Sequence, residues 1–397
     1  MTAAVAEPEG NPVRVGYVCA GTVPVFGSKG ESIHVQEMAR AMTRSGAEVD
    51  LVAERVAGEP PVGFERVRVH RIPRARVPDR RDRERAALAA NDAVVEKLAE
   101  LGPFDLVYER YSLWSYAGMK YARAAGVPGI LEVNGPRVEE TAARGDLIDR
   151  AAAEEVAVRA IEASTAVVAV SEEVARYVRE KVAGDDRVHV VPNGVDPRRF
   201  PDGLLERRRS VPRPFTVGWV GWFRPFHGFD TLIDAFAEVR KRREARLLLV
   251  GDGPRREAVE GRLEALGLRD AAEVCGSITP SEVPAQLVRM DVGVAIYDPA
   301  LQSHASPLKV LEYLAAGLPV VASGASQLEH LLDHGERGLL CAPDDPGALA
   351  VLIERLAGDE RLRHRLGAAG RRHVLTHHTW DQVAGRVFEL AGLTVRR

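Results

Sequence analysis

The sequence predicts an α/β protein made of two Rossmann-like domains, each a doubly wound parallel sheet, that face each other across a cleft. Short runs of β-branched, apolar residues alternate with stretches of helical periodicity, which is the pattern of parallel sheets built from βα units. A polar, charged, Pro-containing segment at 200–214 interrupts the alternation, which then starts again. A length of 397 residues suits two domains, and we expect them at 1–205 and 206–376.

The strands of the first half are predicted from short apolar runs bounded by turn residues. They are expected at 13–18, 49–53, 106–108, 129–133, 166–170 and 188–191. After the first strand, apolar residues recur at helical spacing from Ile33 to Met42, and Gly46 follows as a stop, so a helix is expected there.

The second half repeats the pattern. Strands are expected at 215–220, 247–250, 272–275, 292–296 and 320–322, and helices at 231–243, 255–266, 308–316 and 346–356. For the helix at 308–316, the sequence predicts Ser306 as the N-cap, Pro307 as the first helical residue and Gly317 as the stop. Open parallel sheets bind ligands outside the carboxyl ends of their strands, so the site is expected in the cleft between the two sheets.

Charge and cysteine content narrow the possible functions. With 54 Lys and Arg against 57 Asp and Glu, the net charge of −3 argues against a protein that mainly binds nucleic acid. Cys19, Cys275 and Cys341 form no CxxC pair, and the first residues lack the pattern of a signal peptide. No apolar run approaches the roughly 18–20 residues of a spanning helix. These observations predict a cytoplasmic protein.

One segment stands out by its charge. The stretch HRIPRARVPDRRDRER at 70–85 carries seven Arg against three acids. A solvated loop is the favoured interpretation, because exposed charge runs usually have no further role. Contact with an anionic acceptor or a membrane surface is the alternative. It is weakened because Arg is the usual cation of this chain, with 48 Arg and six Lys.

Two strand-to-helix loops carry groups suited to phosphate. The loop after the first strand of the chain leads to Gly30 and a helix start, whose free N–H groups and partial positive charge suit an anion. The GxGxxG fingerprint of dinucleotide-binding proteins is absent there. In the second half, the loop after the first strand carries Arg224 and His227, which could hold a diphosphate. The alternative, given equal weight, is that Arg224 is an ordinary surface residue and that His227 caps a turn.

The strongest local signal is SHASPLKVLEYLAAGLPVVAS at 303–323. Lys309 and Glu312 are three residues apart and therefore share a helix face near its N-terminus. The lysine could meet a phosphate, and the carboxylate could accept from two vicinal hydroxyls. An ordinary surface ion pair is the alternative. A cation in the first turn opposes the helix dipole, which slightly favours the functional interpretation.

The order of the motifs resembles that of the family-4 retaining glycosyltransferases of GT-B architecture. The matching segments are GESIHVQEMARAM, VSEEVARYV, VPNGVDPRRF, LLLVGDGP, MDVGVAIY and SPLKVLEYLAAGLPVV, and the similarity continues to the C-terminal WDQVAGRVFEL. The loops RPFHG and SPLK resemble those of a subgroup with RPxHG and SPLK. The resemblance implies an acceptor-binding first domain, a second domain that binds a nucleotide sugar, and a final helix in 377–397 that crosses back to the first domain.

The resemblance also implies roles for donor-site residues. The backbone of Gly30 would approach the donor diphosphate, Glu312 would bind the donor ribose, and the loop at 275–278 would line the nucleobase. The positions of the family's usual phosphate cations fall on Trp222 and His227, and Arg224 is the expected substitute.

Two departures lie in the loop before Lys309. His304 stands where the family has the first Glu of its E-x7-E motif, which touches the donor sugar. Pro307 stands at the second Gly of the family's Gly-Phe-Gly loop. The expected catalytic residues are Arg224, Lys309 and His304. The expected donor-binding residues are Gly30, His227, Gly276, Ser277, Ile278, Ser306, Leu308 and Glu312.

On the acceptor side, four residues of the first half are candidates: His34, Arg110, Glu132 and Asn134. Ordinary packing or capping is the alternative for each. The sequence shows neither a DxD in a suitable loop nor a His/Cys spacing for zinc, so no metal is expected. No cofactor is expected either, because the nucleotide sugar is a co-substrate.

The expected activity is transfer of a sugar from a nucleotide diphosphate sugar to a small metabolite or glycan, with retention of the anomeric configuration. A UDP-sugar is favoured and a GDP-sugar comes next. In the family's proposed front-face route the leaving phosphate helps to take the acceptor proton, so no protein base is named. Two other classes stay open: an epimerase or phosphorylase of the same architecture, and a non-catalytic nucleotide-sugar-binding relative, which the His304 departure allows.

Overall fold

The computed structural model describes residues 11–21, 23–72, 77–182, 186–202, 204, 213–298, 307–324 and 327–395. Within these ranges the strands form one sheet of seven strands and one of six. The first sheet comprises β1 (Arg14–Cys19), β2 (Glu48–Ala53), β3 (Val67–Arg71), β4 (Leu106–Arg110), β5 (Gly129–Val133), β6 (Ala166–Ala169) and β7 (Val188–Val190). The helices of this half are α1 (Gly30–Arg44), α2 (Arg80–Leu101), α3 (Ala117–Ala125), α4 (Arg137–Ala143), α5 (Arg150–Ala163) and α6 (Glu172–Lys181).

The second sheet begins after residues 191–214, the segment that follows β7 and that we call the linker. It comprises β8 (Phe215–Val220), β9 (Ala245–Val250), β10 (Ala272–Val274), β11 (Val292–Ala295), β12 (Val320–Ser323) and β13 (Leu339–Cys341). Its helices are α7 (Phe229–Arg242), α8 (Arg256–Ala265), α9 (Val283–Leu287), α10 (Leu308–Ala315), α11 (Gln327–Leu332) and α12 (Pro346–Gly358). Two more helices end the described chain, α13 (Glu360–His377) and α14 (Trp380–Leu390).

The two sheets share one topology. Their strand orders are β3-β2-β1-β4-β5-β6-β7 and β10-β9-β8-β11-β12-β13, and neighbouring strands run parallel. The order reverses between β1 and β4 in the first sheet and between β8 and β11 in the second. Such switch points form ligand crevices at the carboxyl edge of the strands. The predicted fold, two doubly wound parallel-sheet domains, is confirmed.

Burial explains why the strands are short apolar runs. Every residue of β4 and β5 is buried, because helices cover both faces of the sheet. At the switch point the rings of Tyr17 on β1 and Tyr108 on β4 pack edge to face with centroids 5.0 Å apart. Two buried aromatic rings therefore lie beneath the switch point of the first sheet.

Four details of the structure differ from the sequence prediction. The Arg-rich stretch at 70–85 is not simply a loop: it contains the end of β3 and the start of α2, which Asp79 caps, whereas 73–76 lie outside the described residues. β3 was not predicted, because its charged residues do not form an apolar run. In the structure Arg68 of β3 donates hydrogen bonds to Asp50 of β2, so this charge is paired within the sheet. β13 was not predicted. α10 begins at Leu308 with Pro307 as its N-cap, one residue later than expected.

The last helix packs against the first half of the chain. Trp380 and Phe388 of α14 lie in the same apolar core as Val35 and Met38 of α1. Fully burying an aromatic side chain of this kind stabilises a fold by roughly 1.5–3 kcal/mol. A parallel bridge between Val195 of the linker and Thr379 adds backbone pairing where the chain returns.

Candidate active site

Two helix N-termini meet where the switch points face each other. α1 begins at Gly30 and α10 at Leu308, and neither N-cap residue, Lys29 or Pro307, makes a side-chain cap bond. A Cβ placed on Gly30 would lie 3.8 Å from Cδ1 of Leu308. Uncapped N-termini leave free N–H groups and partial positive charge. The arrangement is therefore suited to an anion held between the two halves.

Arg224 lies on the loop between β8 and α7 and is half-buried. Its guanidinium makes no hydrogen bond or ion pair within the described part of the chain. Its charge acts on Glu31, in the first turn of α1. Burial acts to raise the pKa of Glu31, but Arg137, Arg110 and Arg224 outweigh it and the net pKa lies below the ordinary value. Arg224 therefore lies close to α1, and its guanidinium donors are not engaged by any of the described residues.

Lys309 reaches under the same loop from α10. Its Nζ lies 3.8 Å from the centroid of the Trp219 ring and 5.6 Å from that of Tyr297. A Cβ placed on Gly221 would lie 3.2 Å from this nitrogen. Nζ is buried and, among the described residues, has no hydrogen-bond partner. An amine held by aromatic faces alone is a ready site for an anion.

The surroundings of Lys309 set its charge. Burial lowers the pKa of the amine well below its ordinary value, and the charge of Glu312 opposes the shift only in part. A phosphate bound beside Nζ would favour the charged form and offset the burial. The site is thus poised to bind an anion and a proton together.

His227 orders the loop that carries Arg224. Its Nδ1 accepts a hydrogen bond from the Arg224 backbone N–H at 3.4 Å, and its ring packs against Trp219 and Phe226. Burial and the Lys309 charge lower the pKa of His227 to about 2. The imidazole is therefore neutral at physiological pH, and the side chains beside this loop that can carry positive charge are Arg224 and, once an anion is bound, Lys309.

Glu312 is held by a residue of the linker. Arg199 donates from Nη1 to Oε1 of Glu312 at 2.8 Å and from Nη2 to the carbonyl of Pro280 at 2.6 Å. Pro280 follows closely on the loop predicted to line a nucleobase. In that loop Gly276 accepts a backbone hydrogen bond from Gly251, and Ser277 is exposed. Ile278 of the same loop packs on the apolar core of the second half.

The predicted acceptor residues form a buried charge network under the first crevice. Nε2 of His34 lies 2.9 Å from Oε1 of Glu132, off the hydrogen-bonding angle. Nε of Arg110 lies 3.9 Å from Oε2 of the same carboxylate. Burial acts to raise the pKa of Glu132, but His34 and Arg110 outweigh it and hold the pKa below its ordinary value. Asn134 lies just beyond the strand, with a buried Nδ2 that has no partner among the described residues.

Three groups near the crevice were not predicted. Lys29 places Nζ 4.5 Å from the centroid of the Trp222 ring, so a cation from the first half lies against the loop of the second half that carries Arg224. Arg137 pairs with Glu31 at 3.0 Å, and Arg199 bonds to Glu312. Lys29 could have been noticed as the residue before Gly30. The role of Arg199 could not have been found from the sequence, because its two hydrogen-bond partners lie 81 and 113 positions away.

Two predicted residues, His304 and Ser306, lie outside the described residues. In the ranges that are described, no group of three or more His, Cys, Asp or Glu side chains is placed to hold a metal ion. None of the helices in those ranges combines the length and the apolar character needed to cross a membrane.

Two family models match the chain, one for each sheet. Residues 29–199 match "Glycosyltransferase Family 4", and residues 214–359 match "Glycosyl transferases group 1". The matched ranges include α1, α10 and the loop of Arg224. The chain is a glycosyltransferase of the family-4, GT-B type.

A curated relative has a similar sequence, and solved structures have a similar fold. The glycosyltransferase is 27% identical to D-inositol 3-phosphate glycosyltransferase of Jonesia denitrificans over 94% of each chain. Its fold is similar to that of sucrose-phosphate synthase from Thermosynechococcus elongatus, with a TM-score of 0.75 and 21% identity over 95% and 98% of the two chains. It is also similar to Anabaena HepE in complex with UDP and glucose, with a TM-score of 0.74 and 16% identity over 96% and 99%.

Proposed function

We propose that this glycosyltransferase moves a sugar from a nucleotide diphosphate sugar to an acceptor and retains the anomeric configuration. The observation that carries the proposal is the meeting of two helix N-termini, at Gly30 and Leu308, beside Arg224 and Lys309; among the described residues the two N-cap side chains make no cap bond and Nζ of Lys309 has no partner. Such a set of donors would hold a diphosphate between the two halves.

The same groups would assist the chemistry. When the bond from the sugar to the diphosphate breaks, negative charge grows on the leaving oxygen. Arg224, Lys309 and the two helix ends are already oriented before the reaction, so they would stabilise that charge without rearranging. His304 would contact the donor sugar, as its place in the motif implies. Lys29, close to the same helix end, would add to the positive field.

The nucleoside would lie on the second half of the chain. Glu312 would accept hydrogen bonds from the ribose hydroxyls, and the loop with Gly276, Ser277 and Ile278 would line the base. A UDP-sugar is the favoured donor, supported by the similarity to HepE, which was solved in complex with UDP and glucose. A GDP-sugar is the next candidate.

The acceptor would enter from the first half, which we delimit at about 1–205. Asn134 and Arg110 would meet an incoming hydroxyl, and Glu132, which contacts both His34 and Arg110, would hold Arg110 in place. The name of the Jonesia relative makes an inositol phosphate the first acceptor to test. A small metabolite or glycan in the cytoplasm is favoured over a membrane-bound acceptor.

A transfer assay tests the proposal. Purified protein is incubated with UDP-glucose, other UDP-sugars or GDP-mannose, with and without a panel of polyol and sugar acceptors. Nucleotide release is measured, and the anomeric configuration of the product is read by NMR. We expect release that depends on the acceptor, and a product with the configuration of the donor.

The assay includes matched arginine variants. Arg224→Ala should lower kcat/KM for the donor at least about tenfold, since a hydrogen bond to a charged group is worth roughly 1.5–3 kcal/mol. Arg242→Ala, at the other end of α7, removes only a surface pair with Glu354 and should leave the rate unchanged. Release without an acceptor, an inverted product, or binding without turnover would each overturn the proposal.

A further inference from the structure

Arg199 connects parts of the second half that are far apart in sequence. It ends a short 3-10 turn, Pro197–Arg199, in the linker between the two sheets. Its side chain is 17% exposed, and its two terminal nitrogens point at different acceptors. Nη1 donates to Oε1 of Glu312 on α10, and Nη2 donates to the carbonyl of Pro280. One planar group therefore fixes the position of Glu312 relative to the segment at 275–280.

The Glu312 carboxylate and the Pro280 carbonyl, which both accept hydrogen bonds from Arg199, flank the place proposed for the nucleoside of the donor. The inference therefore rests on the proposed function. Glu312 is the proposed partner of the ribose, and Pro280 ends the segment that would line the base. An ionised carboxylate offers about four acceptor sites. Arg199 uses one of them on Oε1, which leaves the other oxygen and one further site for vicinal hydroxyls.

Arg199 also keeps Glu312 away from Lys309. The two residues are three apart on α10, where a direct ion pair would be ordinary. The charge of Glu312 does act on Lys309, yet Nζ of Lys309 has no hydrogen-bond partner among the described residues. The carboxylate is engaged by Arg199 instead, so the lysine stays free for the diphosphate.

We propose that Arg199 is a positioning residue for the nucleoside part of the donor: it holds Glu312 in the orientation that reads the ribose hydroxyls. Arginine is required because a rigid, planar fork can donate to two fixed acceptors, whereas a lysine ammonium is a single point on a flexible stem. Arg199 touches neither the diphosphate nor the reacting bond. Its loss should weaken nucleoside recognition and leave diphosphate recognition intact.

The test compares three ligands by isothermal calorimetry: UDP, 2′-deoxy-UDP and inorganic pyrophosphate. If wild type prefers GDP, then GDP and 2′-deoxy-GDP replace UDP and 2′-deoxy-UDP. Arg199→Lys keeps the charge but cannot make both bonds. We expect it to bind UDP about tenfold more weakly, the equivalent of about 1.4 kcal/mol, and to lose most of the preference for UDP over the 2′-deoxy ligand. Its affinity for pyrophosphate should stay within about twofold.

Two further variants separate the possible failures. Arg198→Lys changes the neighbouring arginine, which pairs with Asp196 and Asp381, and should bind all three ligands as wild type does. Glu312→Gln tests the ribose assignment itself. Ligand-free thermal unfolding shows whether each variant is folded.

The inference is wrong if Arg199→Lys keeps the full preference for the ribonucleotide, or if it weakens UDP and pyrophosphate equally, as a purely structural role would. The proposed function fails separately, and the inference with it, if wild type binds no nucleotide or if Glu312→Gln keeps the ribose preference.

Discussion

His34 and Glu132 are in contact in the first half of the chain, where both side chains are only 2% exposed and Nε2 of the histidine lies 2.9 Å from Oε1 of the carboxylate. The pair joins α1, whose N-terminus is the proposed phosphate site, to β5 of the first sheet. Trp380 of α14 packs edge to face on the His34 ring at 4.9 Å. The last helix of the chain is thus in contact with the charged floor of the first crevice.

Glu132→Gln should destabilise the protein by about 3–5 kcal/mol at pH 6, because it leaves the buried guanidinium of Arg110 without its counter-charge. The loss should depend on pH. The pKa of Glu132 in the folded state lies below the ordinary value of 4.5. Its stabilising contribution is therefore complete above that ordinary pKa and is lost as the pH falls through the folded-state pKa. Urea unfolding at pH 6 and pH 4 measures the free energy of unfolding of both proteins.

The control for this variant is Glu140→Gln, which removes a partly exposed partner of Arg137 at 3.3 Å and should cost less than about 1 kcal/mol at pH 6. A gap between wild type and Glu132→Gln that is the same size at both pH values would contradict the predicted linkage.

Glu109→Gln should stabilise the protein in neutral solution. Glu109 is fully buried on β4 and accepts hydrogen bonds from the Ser115 hydroxyl and the Met119 N–H. Burial raises its pKa from 4.5 to about 7, although those bonds oppose the shift. The folded state therefore holds a proton that the unfolded state releases. Wild type loses roughly 3 kcal/mol of stability as the pH rises from 4.5 to 7.

Glutamine can accept from Met119 and donate to the Ser115 oxygen without ionising. The advantage of Glu109→Gln over wild type should accordingly grow between pH 4.5 and 7 and then level off. Chemical denaturation at four pH values measures it. An advantage that stays constant or shrinks with rising pH would show that the folded state does not raise the pKa of the Glu109 carboxyl.

Gly251→Ala should destabilise the second half severely. Gly251 follows β9 with a φ of +136°, and an added Cβ would lie 1.8 Å from the carbonyl oxygen of Gly221, which follows the neighbouring β8. The strained backbone and the clash together should cost more than about 3 kcal/mol. The matched control is Gly261→Ala in α8, where nothing lies within 4 Å of the new methyl group. It should stabilise by about 0.5–1 kcal/mol.

Thermal unfolding compares the two alanine variants. Similar shifts would mean that the close approach of these two loop backbones is not required for the fold.

The fold could be predicted because its signals are local. Alternating β-branched runs and helical stretches imply parallel sheets, and the direction of each crossover is nearly fixed. The position of the crevices follows from the topology. β3 was missed because charged residues interrupt its apolar pattern. Its Arg68 can be accommodated in an edge strand because it pairs with Asp50 of the neighbouring β2, a contact that the sequence does not reveal.

The site could be predicted only in part. Helix starts and loop cations, such as Gly30, Arg224 and Lys309, are visible in the sequence. The partners that set their state are not. Neutral His227 depends on burial by aromatic residues, and the bond from Arg199 to Glu312 spans 113 positions. Such contacts follow from the way the two halves and the linker pack, which no local pattern encodes.

The most direct test of the account is nucleotide binding at the two facing helix ends. Thermal unfolding and calorimetry are run with UDP, GDP, ADP and TDP on wild type, Lys309→Ala and Glu312→Ala, with Lys241→Ala as the surface control. A ligand at 100 times its Kd stabilises the folded state by about 2.7 kcal/mol. We predict that one nucleotide, UDP first, raises the midpoint of wild type and of the control, and that both site variants bind it at least tenfold more weakly. A wild type that responds to none of the four, or site variants that bind as well as wild type, would contradict the account.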